Sequence, residues 1–214
     1  MKNIIGLVGF QGSGKDTVGS IIQELYPSYT TTSFAKPIKS ALSSMFGWQA
    51  KLLEGTTEAS RVWRETQDSY WTEKLGKPIT PRLMMREFGT ELIRNQFSQD
   101  FWTNRCELFL QDSKKSVVVT DVRFVNEIEM IKRLGGKIVW VRRDPLPDYY
   151  NQSLWFNQQT KFIQFVSKPF LRKIHGVHRS ERDWIGTDFD SIILNNTSIQ
   201  DLTRNVTTFM ETLK

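Results

Sequence analysis

The chain has 214 residues, of which 39% are apolar and 24% charged, and 29 basic against 23 acidic side chains give a net charge of +6. These values predict one folded domain and exclude an intrinsically disordered chain. No apolar stretch approaches the roughly 20 residues that cross a bilayer, and the single cysteine, Cys106, excludes an intrachain disulfide and fits a reducing compartment. The positive charge suits an anionic ligand without choosing between nucleotides and nucleic acid.

The first predicted element is an apolar run at 4–8, which we expect to be a buried strand rather than a signal peptide. The loop Gly9-Phe10-Gln11-Gly12-Ser13-Gly14-Lys15-Asp16-Thr17 follows it and leads into a helical pattern that ends near Leu25. Strand, glycine loop and helix in this order predict a phosphate-binding P-loop, because glycines and a helix N-terminus present N–H groups to phosphate oxygens. We therefore predict that nucleotide phosphates bind Gly12, Ser13, Gly14, Lys15, Asp16 and Thr17. The alternative is an ordinary glycine turn beside a surface lysine.

Asp16 stands where many phosphate loops carry a serine or threonine that binds magnesium. A carboxylate at a helix N-terminus gains about 0.3–1 kcal/mol from the helix dipole. At about 5 Å from a phosphate oxygen and an effective dielectric of about 20, the same carboxylate loses about 3 kcal/mol per unit charge. Because the repulsion is larger, we predict that Asp16 binds Mg²⁺ or one of its waters. The alternative is that Asp16 only caps the helix.

Strands and helices are predicted to alternate along the rest of the chain. The β-rich residues 30–34 and the apolar runs at 117–120, 138–141 and 192–194 predict strands. Helical patterns are found at 36–46, 57–75, 81–97, 100–112, 124–134 and 199–213, and residues 143–186 are predicted to form a long irregular region. This alternation predicts an α/β fold with a doubly wound, mainly parallel sheet of about five strands.

In such a fold, ligands bind beyond the carboxyl ends of the strands. We therefore expect the glycine loop, 33–36, 121–123, 142–143 and 195–196 to surround one cleft. There, Asp121 can face the magnesium shell and Arg123 can neutralise charge on a transferred phosphoryl group. The alternative is an aspartate that caps the next helix beside a surface arginine.

Arg82, Arg86, Thr90 and Arg94 recur every four residues along one predicted helix. Arginine forks match phosphate geometry, so this stripe can hold an anion. The alternative is that neighbouring glutamates simply balance the repulsion between like charges.

A basic segment with interleaved aromatic residues follows the fourth predicted strand. It suits a lid that closes over phosphates, a pair of helices with solvated basic faces, or a surface that binds single-stranded nucleic acid. Its basic residues are Arg142, Arg143, Lys161, Lys168, Arg172, Lys173, Arg179 and Arg182.

Several short motifs, in this order and spacing, make the chain resemble a known family. They are Gly9–Thr17 with its Gly-Lys-Asp-Thr ending, Phe34–Lys39, Phe88–Arg94, Thr120–Arg123, His178-Arg179-Ser180-Glu181 and Ile193–Asn196. With these motifs the chain resembles the deoxynucleoside monophosphate kinases of tailed bacteriophages, which belong to the P-loop nucleoside monophosphate kinases. The resemblance implies a single kinase domain over 1–214, with a helical monophosphate-binding part at about 36–100 and a lid at about 143–186.

The resemblance further implies phosphoryl transfer from ATP to a deoxynucleoside monophosphate with Mg²⁺. Catalysis is assigned to Lys15, Arg123 and Arg143, metal binding to Asp16 and Asp121, and substrate binding to Lys36, Arg82, Arg86, Arg94 and Asp121. The implied partners are the two nucleotides, not a membrane or nucleic acid, and the oligomeric state stays open, a homodimer included. The implied location is the cytoplasm, that of the host cell if a phage encodes the protein. The alternatives are another small-molecule kinase, such as one resembling dephospho-coenzyme A kinase, and a non-catalytic nucleotide- or nucleic-acid-binding protein.

Overall fold

The computed structural model describes residues 2–161, 163–164, 174 and 176–213. Its contacts divide the chain into two compact units. The first, here called the sheet unit, comprises Met1–Ser33 and Phe109–Lys214, and the second, the helical unit, comprises Phe34–Leu108. In the part of the chain that is described, no helix has the length and apolar character to span a membrane.

A five-stranded, all-parallel sheet forms the centre of the sheet unit. Its strands are β1 (Ile4–Val8), β2 (Tyr29–Thr32), β3 (Ser116–Val119), β4 (Lys137–Arg142) and β5 (Ser191–Leu194). The strand order is β2-β3-β1-β4-β5, so β1 is the middle strand. In the register, Ile5 pairs with Val118 of β3 and Leu7 pairs with Val139 of β4. This topology confirms the predicted α/β fold class, and the carboxyl end of β1 opens directly into the glycine loop.

The helices follow in chain order, and each is named here by its bounds. They are α1 (Lys15–Leu25), α2 (Ala35–Phe46), α3 (Ala50–Glu54), α4 (Glu58–Glu65), α5 (Ser69–Leu75), α6 (Pro81–Arg86), a π-helix (Glu87–Phe97), α7 (Phe101–Asp112), α8 (Val125–Arg133), α9 (Tyr150–Asn157), α10 (Arg179–Arg182) and α11 (Ile199–Glu211).

Alternation along β1 explains why both faces of the sheet are covered. Ile5 and Leu7 are fully buried in a cluster that includes apolar residues of α1 and α11. On the opposite face, a Cβ on Gly6 would lie 2.7 Å from Ile131 Cδ1 of α8, so α8 packs closely there. Because successive strand residues point to opposite faces, the continuous apolar run of β1 predicts this double coverage.

Two predicted elements differ from the structure in their bounds. The strand predicted at 30–34 ends at Thr32, since α2 already begins at Ala35. The single helical stretch predicted at 57–75 is two helices, α4 and α5, separated by Thr66–Asp68. The Asp68 side chain caps α5 by accepting a hydrogen bond from the Trp71 N–H at 2.9 Å, and such a cap starts a new helix.

The prediction that 143–186 is irregular throughout is wrong, because α9 and α10 both lie in it. Their short apolar patterns are too brief to stand out from loop sequence. Three of the basic residues named for this segment, Lys168, Arg172 and Lys173, lie outside the described residues.

Candidate active site

The glycine loop between β1 and α1 is shaped by residues without a side chain. Gly9 has φ +151° and Gly14 has φ +96°, backbone conformations that favour glycine. A Cβ on Gly9 would also lie only 2.7 Å from Ser13 Oγ. Ser13 is 3% exposed, and its hydroxyl has no hydrogen-bond partner among the residues that the structure describes. A buried hydroxyl without a partner at a helix N-terminus is a donor that a phosphate oxygen can satisfy.

Lys15, the first residue of α1, is only 7% exposed. Its Nζ donates hydrogen bonds to the carbonyl oxygens of Gly9 at 2.7 Å and Phe10 at 2.8 Å. Burial, together with the charge of Arg123, lowers the pKa of Lys15 from 10.5 to about 7, and nearby carboxylates partly oppose this shift. Phosphate groups that bind at the loop would favour the charged form of Lys15. The protonation of this lysine therefore depends on whether an anion is bound.

Asp16 lies one residue further along α1 and is exposed. The N-cap of α1 is Gly14, and no side-chain cap is present, so the alternative that Asp16 only caps this helix is wrong. Thr17 is exposed at the same helix end. Both side chains therefore lie where the loop can present them to a bound ligand.

Arg123 follows β3 and is held by both its backbone and its side chain. Its N–H donates to Glu127 Oε2 at 2.8 Å, and its guanidinium forms a close ion pair with Glu181. Burial alone would lower the pKa of Arg123, but the carboxylates of Glu181 and Asp121 outweigh this effect, and the pKa is raised. Its side chain is 25% exposed, and the N-cap of α8 is Phe124. The alternative of a capping Asp121 beside a surface arginine is therefore wrong.

The ends of β4 and β5 also meet the glycine loop. The exposed Arg143 donates from Nη1 to the Gly12 carbonyl at 3.4 Å. Asn195 donates from Nδ2 to the Ser13 carbonyl at 2.9 Å, and its own N–H donates to the Arg142 carbonyl at 2.8 Å. Strand ends thus gather loop, lysine, arginines and Asp121 in the sheet unit, as the position of these residues at strand ends predicts.

Phe10 ties the glycine loop to the segment that was predicted to be a lid. Its ring is 6% exposed and lies 4.9 Å from the ring of Trp184 and 5.9 Å from that of Tyr149. Trp184 itself is 1% exposed. Both ends of the predicted 143–186 lid are therefore packed against the loop, while the lid function stays a prediction.

The remaining predicted substrate-binding residues lie in the helical unit. Lys36 is exposed in the first turn of α2. Arg82 pairs with Glu65 at 2.8 Å and Arg86 pairs with Glu87 at 3.1 Å, both on the surface. Arg94, in contrast, is 4% exposed and donates to the Gln99 carbonyl at 3.1 Å. The predicted arginine stripe therefore runs from the surface into the interior of this unit.

The residues assigned to magnesium fit that ion by their chemistry. Asp16 and Asp121 both act on the charge of Lys15, which places two carboxylates near the loop. Among the described residues, no group of three or more His, Cys, Asp or Glu side chains could hold a metal ion. Two carboxylates without a complete protein cage suit Mg²⁺, which usually keeps waters and takes further oxygens from substrate phosphates.

Glu181 and Asn195 contact this site, although no catalytic, binding or metal role was predicted for either. Asn195 was expected at the cleft because it follows β5, whereas its bond to the Ser13 carbonyl was not predicted. Glu181 lies 58 residues from its partner Arg123, and no spacing rule joins residues so far apart. The only signal for Glu181 was the polar motif His178–Glu181.

Solved structures of small-molecule kinases show a weak likeness to the chain. Shikimate kinase from Bacteroides thetaiotaomicron is 16% identical and aligns over 99% of this chain and 98% of its own, with a TM-score of 0.47. Dephospho-CoA kinase from Campylobacter jejuni is 15% identical over 100% and 98%, with a TM-score of 0.44. Likeness at this level carries neither substrate to the present chain.

Sequence relatives are more informative. The model of the family described as deoxynucleotide monophosphate kinase matches residues 61–154. A mimivirus protein from Acanthamoeba polyphaga mimivirus, named for the same activity, is 33% identical over 152 residues, and the match covers 65% of this chain and 74% of that protein. The deoxynucleoside-5′-monophosphate kinase of Escherichia phage T5 is 26% identical over 181 residues, and the match covers 62% of this chain and 72% of the phage protein. The chain therefore belongs to the deoxynucleotide monophosphate kinase family.

Proposed function

We propose that this protein transfers the γ-phosphoryl group of ATP to a deoxynucleoside 5′-monophosphate, giving ADP and the deoxynucleoside diphosphate. An oxygen of the acceptor phosphate attacks the γ-phosphorus, and the bond from that phosphorus to the β,γ-bridging oxygen breaks. The acceptor phosphate is already nucleophilic, so no strong general base is needed. Catalysis then consists of alignment and charge stabilisation.

The observation that carries the proposal is the set of cations gathered at one glycine loop. Lys15 is buried against the loop carbonyls, Arg143 reaches the Gly12 carbonyl, and Arg123 acts on the charge of Lys15. Cations fixed where negative charge develops can stabilise a transferring phosphoryl group without reorganising during the reaction. Family membership supports the same reaction class.

The donor nucleotide is assigned to the sheet unit. In this proposal Gly12, Ser13, Gly14, Lys15 and Thr17 bind its phosphates, and Asp16 and Asp121 hold Mg²⁺ directly or through its waters. When bound, the ion neutralises charge on the phosphate oxygens. The unpartnered Ser13 hydroxyl and the exposed Asp16 support this assignment.

The acceptor phosphate is assigned to cations of the helical unit. Lys36, Arg82 and Arg86 are accessible, with the two arginines in surface ion pairs that an anion can exchange at small cost. Arg94 is buried, and we assign it to orienting the acceptor-binding helix as much as to direct contact. Asp121 is further assigned to the acceptor side of the reacting phosphates. The partners in this proposal are two small nucleotides in the cytoplasm of a host cell.

The test is ADP release measured with full-length protein, MgATP and a panel of acceptors. The panel contains the deoxy- and ribonucleoside monophosphates and dephospho-coenzyme A. We expect ADP formation that depends on at least one deoxynucleoside monophosphate, and the preferred base follows from the same panel. Lys15→Ala should lower kcat by roughly 100-fold or more with an unchanged circular dichroism spectrum.

The matched control is Lys132→Ala, which removes an exposed lysine that bonds the Asp188 carbonyl on the protein surface. It should keep the wild-type rate. Turnover only with dephospho-coenzyme A would assign a different kinase activity. Salt-sensitive binding to single strands without any acceptor-dependent ADP would assign a nucleic-acid-binding function instead.

A further inference from the structure

The motif His178–Glu181 contributes a carboxylate, that of Glu181, to the candidate active site. The reaction outlined above gives this carboxylate no role. Glu181 accepts a close hydrogen bond from Arg123 Nη1, and the neighbouring Ser180 carbonyl accepts from the same nitrogen at 3.3 Å. Two acceptors on consecutive residues therefore hold one end of the guanidinium. Because a guanidinium is planar and rigid, fixing Nη1 in this way also restricts the orientation of its other donors.

The helical turn that carries Glu181 is itself firmly held. The Ser180 N–H and hydroxyl both lie within hydrogen-bond distance of His178 Nδ1, at 3.3 and 2.8 Å. Asn157 of α9 donates from Nδ2 to the carbonyls of Arg182 at 2.7 Å and Ile185 at 2.8 Å. Two residues after the turn's end, Trp184 is buried against Phe10 of the glycine loop. The position of the Glu181 carboxylate is thus fixed relative to that loop.

Arg123 is held at its other end as well, because its backbone N–H donates to the buried Glu127 carboxylate. With both backbone and guanidinium anchored, few rotamers remain open to this side chain. A long, flexible arginine that is fixed before substrate binds loses less conformational entropy on reaching the transition state.

Charge favours the same role for Glu181. Its carboxylate forms an ion pair with the Arg123 guanidinium. Arg123 and Lys15 are cations that repel each other beside the same loop. An opposite charge paired with Arg123 opposes this repulsion and favours the arginine in the position where Glu181 holds it.

We propose that Glu181 is a positioning residue that orients Arg123 for phosphoryl transfer. This inference rests on the proposed function, in which Arg123 contacts the transferred group. Glu181 acts only through Arg123, so removing its carboxylate should matter only while Arg123 is present.

The test is a double-mutant cycle with Glu181→Gln and Arg123→Ala in the full-length protein. Both kcat and the KM values for ATP and the acceptor are measured for wild type, both single variants and the double variant. We expect Glu181→Gln to lower kcat 10- to 100-fold and to change the acceptor KM less than threefold. In the Arg123→Ala background, the same substitution should change kcat less than twofold.

Glu54→Gln is the matched control, since it makes the same chemical change and breaks one ion pair, with Lys39, in the helical unit. It should leave kcat within twofold of wild type. Glu181→Asp, which keeps the charge but withdraws the carboxylate, serves as a second variant if Glu181→Gln unfolds. The loss of kcat caused by Glu181→Asp should be smaller than the loss caused by Glu181→Gln. It should also vanish when residue 123 is changed from arginine to alanine.

A tenfold loss caused by Glu181→Gln in the Arg123→Ala background would overturn the inference, as would a wild-type kcat in Glu181→Gln alone. If wild type forms no acceptor-dependent ADP, the proposed function fails instead. The same double-mutant cycle is then measured with the Kd of MgATP in place of kcat, by calorimetry on the same four proteins. Non-additive losses in that Kd support the positioning role, and additive losses contradict it.

Discussion

The charge of Lys15 depends strongly on the surroundings of this residue. Burial, with the charge of Arg123 added, lowers the pKa of Lys15 to about 7, while its Nζ remains bonded to two loop carbonyls. Phosphates that approach this group favour its protonated form and therefore raise its pKa. Below pH 7 the free protein already holds the proton, whereas above pH 7 it must take one up as nucleotide binds.

This titration predicts how ATP affinity depends on pH. The Kd of MgATP should be nearly constant below pH 7 and should rise above it, approaching tenfold per pH unit. Calorimetry between pH 6 and pH 9, in buffers of different ionisation enthalpy, measures both the Kd and the proton uptake. The arginine in Lys15→Arg keeps its charge over this pH range, so this variant should show neither the rise in the Kd nor the proton uptake. A flat Kd in wild type up to pH 9 would contradict the role assigned to Lys15.

The two candidate magnesium ligands allow a second prediction at the residue scale. Asp16→Asn and Asp121→Asn should each raise the Mg²⁺ concentration for half-maximal ATP binding by roughly 10-fold or more, because each removes an anionic oxygen near the ion. Binding of a fluorescent ATP analogue during a Mg²⁺ titration provides the measurement. Asp112→Asn, at the exposed end of α7, is the control and should match wild type. Unchanged Mg²⁺ dependence in both site variants would remove the metal assignment.

At the scale of elements, β5 supports the glycine loop through one side chain. The Asn195 amide joins the end of β5 to the Ser13 carbonyl at 2.9 Å. Asn205 of α11 makes an equivalent bond, from Nδ2 to the Leu194 carbonyl at 2.9 Å, away from the loop. Substituting each asparagine in turn therefore distinguishes a contribution to the glycine loop from a contribution to the stability of the fold.

Asn195→Ala should raise the Kd of MgATP roughly 3- to 10-fold, since one net hydrogen bond that holds the loop is lost. Asn205→Ala also removes one hydrogen bond, so it should lower the free energy of unfolding by the net contribution of that bond. It should leave the Kd of MgATP within twofold of wild type. Urea denaturation and calorimetry on both variants provide the comparison. Equal effects of the two substitutions on the Kd would show that Asn195 does not act on the loop.

The π-helix shows where a sequence pattern is insufficient. The helical pattern that begins at Pro81 predicted a continuous helix over 81–97, and helical structure does cover that range. Yet the Ser98 N–H donates to the Ile93 carbonyl, five residues back, at 2.8 Å. Along this stretch Arg94 is buried, whereas Arg86, at the end of α6, is exposed. Apolar periodicity near 3.6 does not resolve this difference.

At the scale of the whole molecule, the chain comprises two units with different assigned ligands. The donor nucleotide is assigned to the sheet unit and the acceptor to the helical unit. Hydrogen exchange measured by mass spectrometry tests this division. MgATP alone should slow exchange in residues 9–17, and a deoxynucleoside monophosphate alone should slow it in 35–46 and 81–97, because bound segments open less often. Protection of the sheet unit alone by the monophosphate would contradict the assignment of Lys36 and the helical-unit arginines.

Local signals predicted the sheet and the position of the glycine loop between β1 and α1. Strands β1, β3, β4 and β5 contain short apolar runs, β2 is rich in threonine, and the glycine loop needs only nearby residues to be recognised. The contacts that join Arg123 to Glu181 or Asn195 to Ser13 depend on the tertiary fold, and no local pattern contains them. The helix bounds within 143–186 were missed for a related reason, since Trp184 and Tyr149 are ordered by packing against Phe10.

The most direct test of the central claim follows the phosphoryl group itself. Full-length protein is incubated with Mg²⁺, ATP labelled at the γ-phosphorus and each deoxynucleoside monophosphate in turn, and the products are separated. We expect the label in the β-phosphate of one or more deoxynucleoside diphosphates, and its loss from that position in Lys15→Ala. Label that stays in ATP or appears only as inorganic phosphate with every acceptor would contradict the claim.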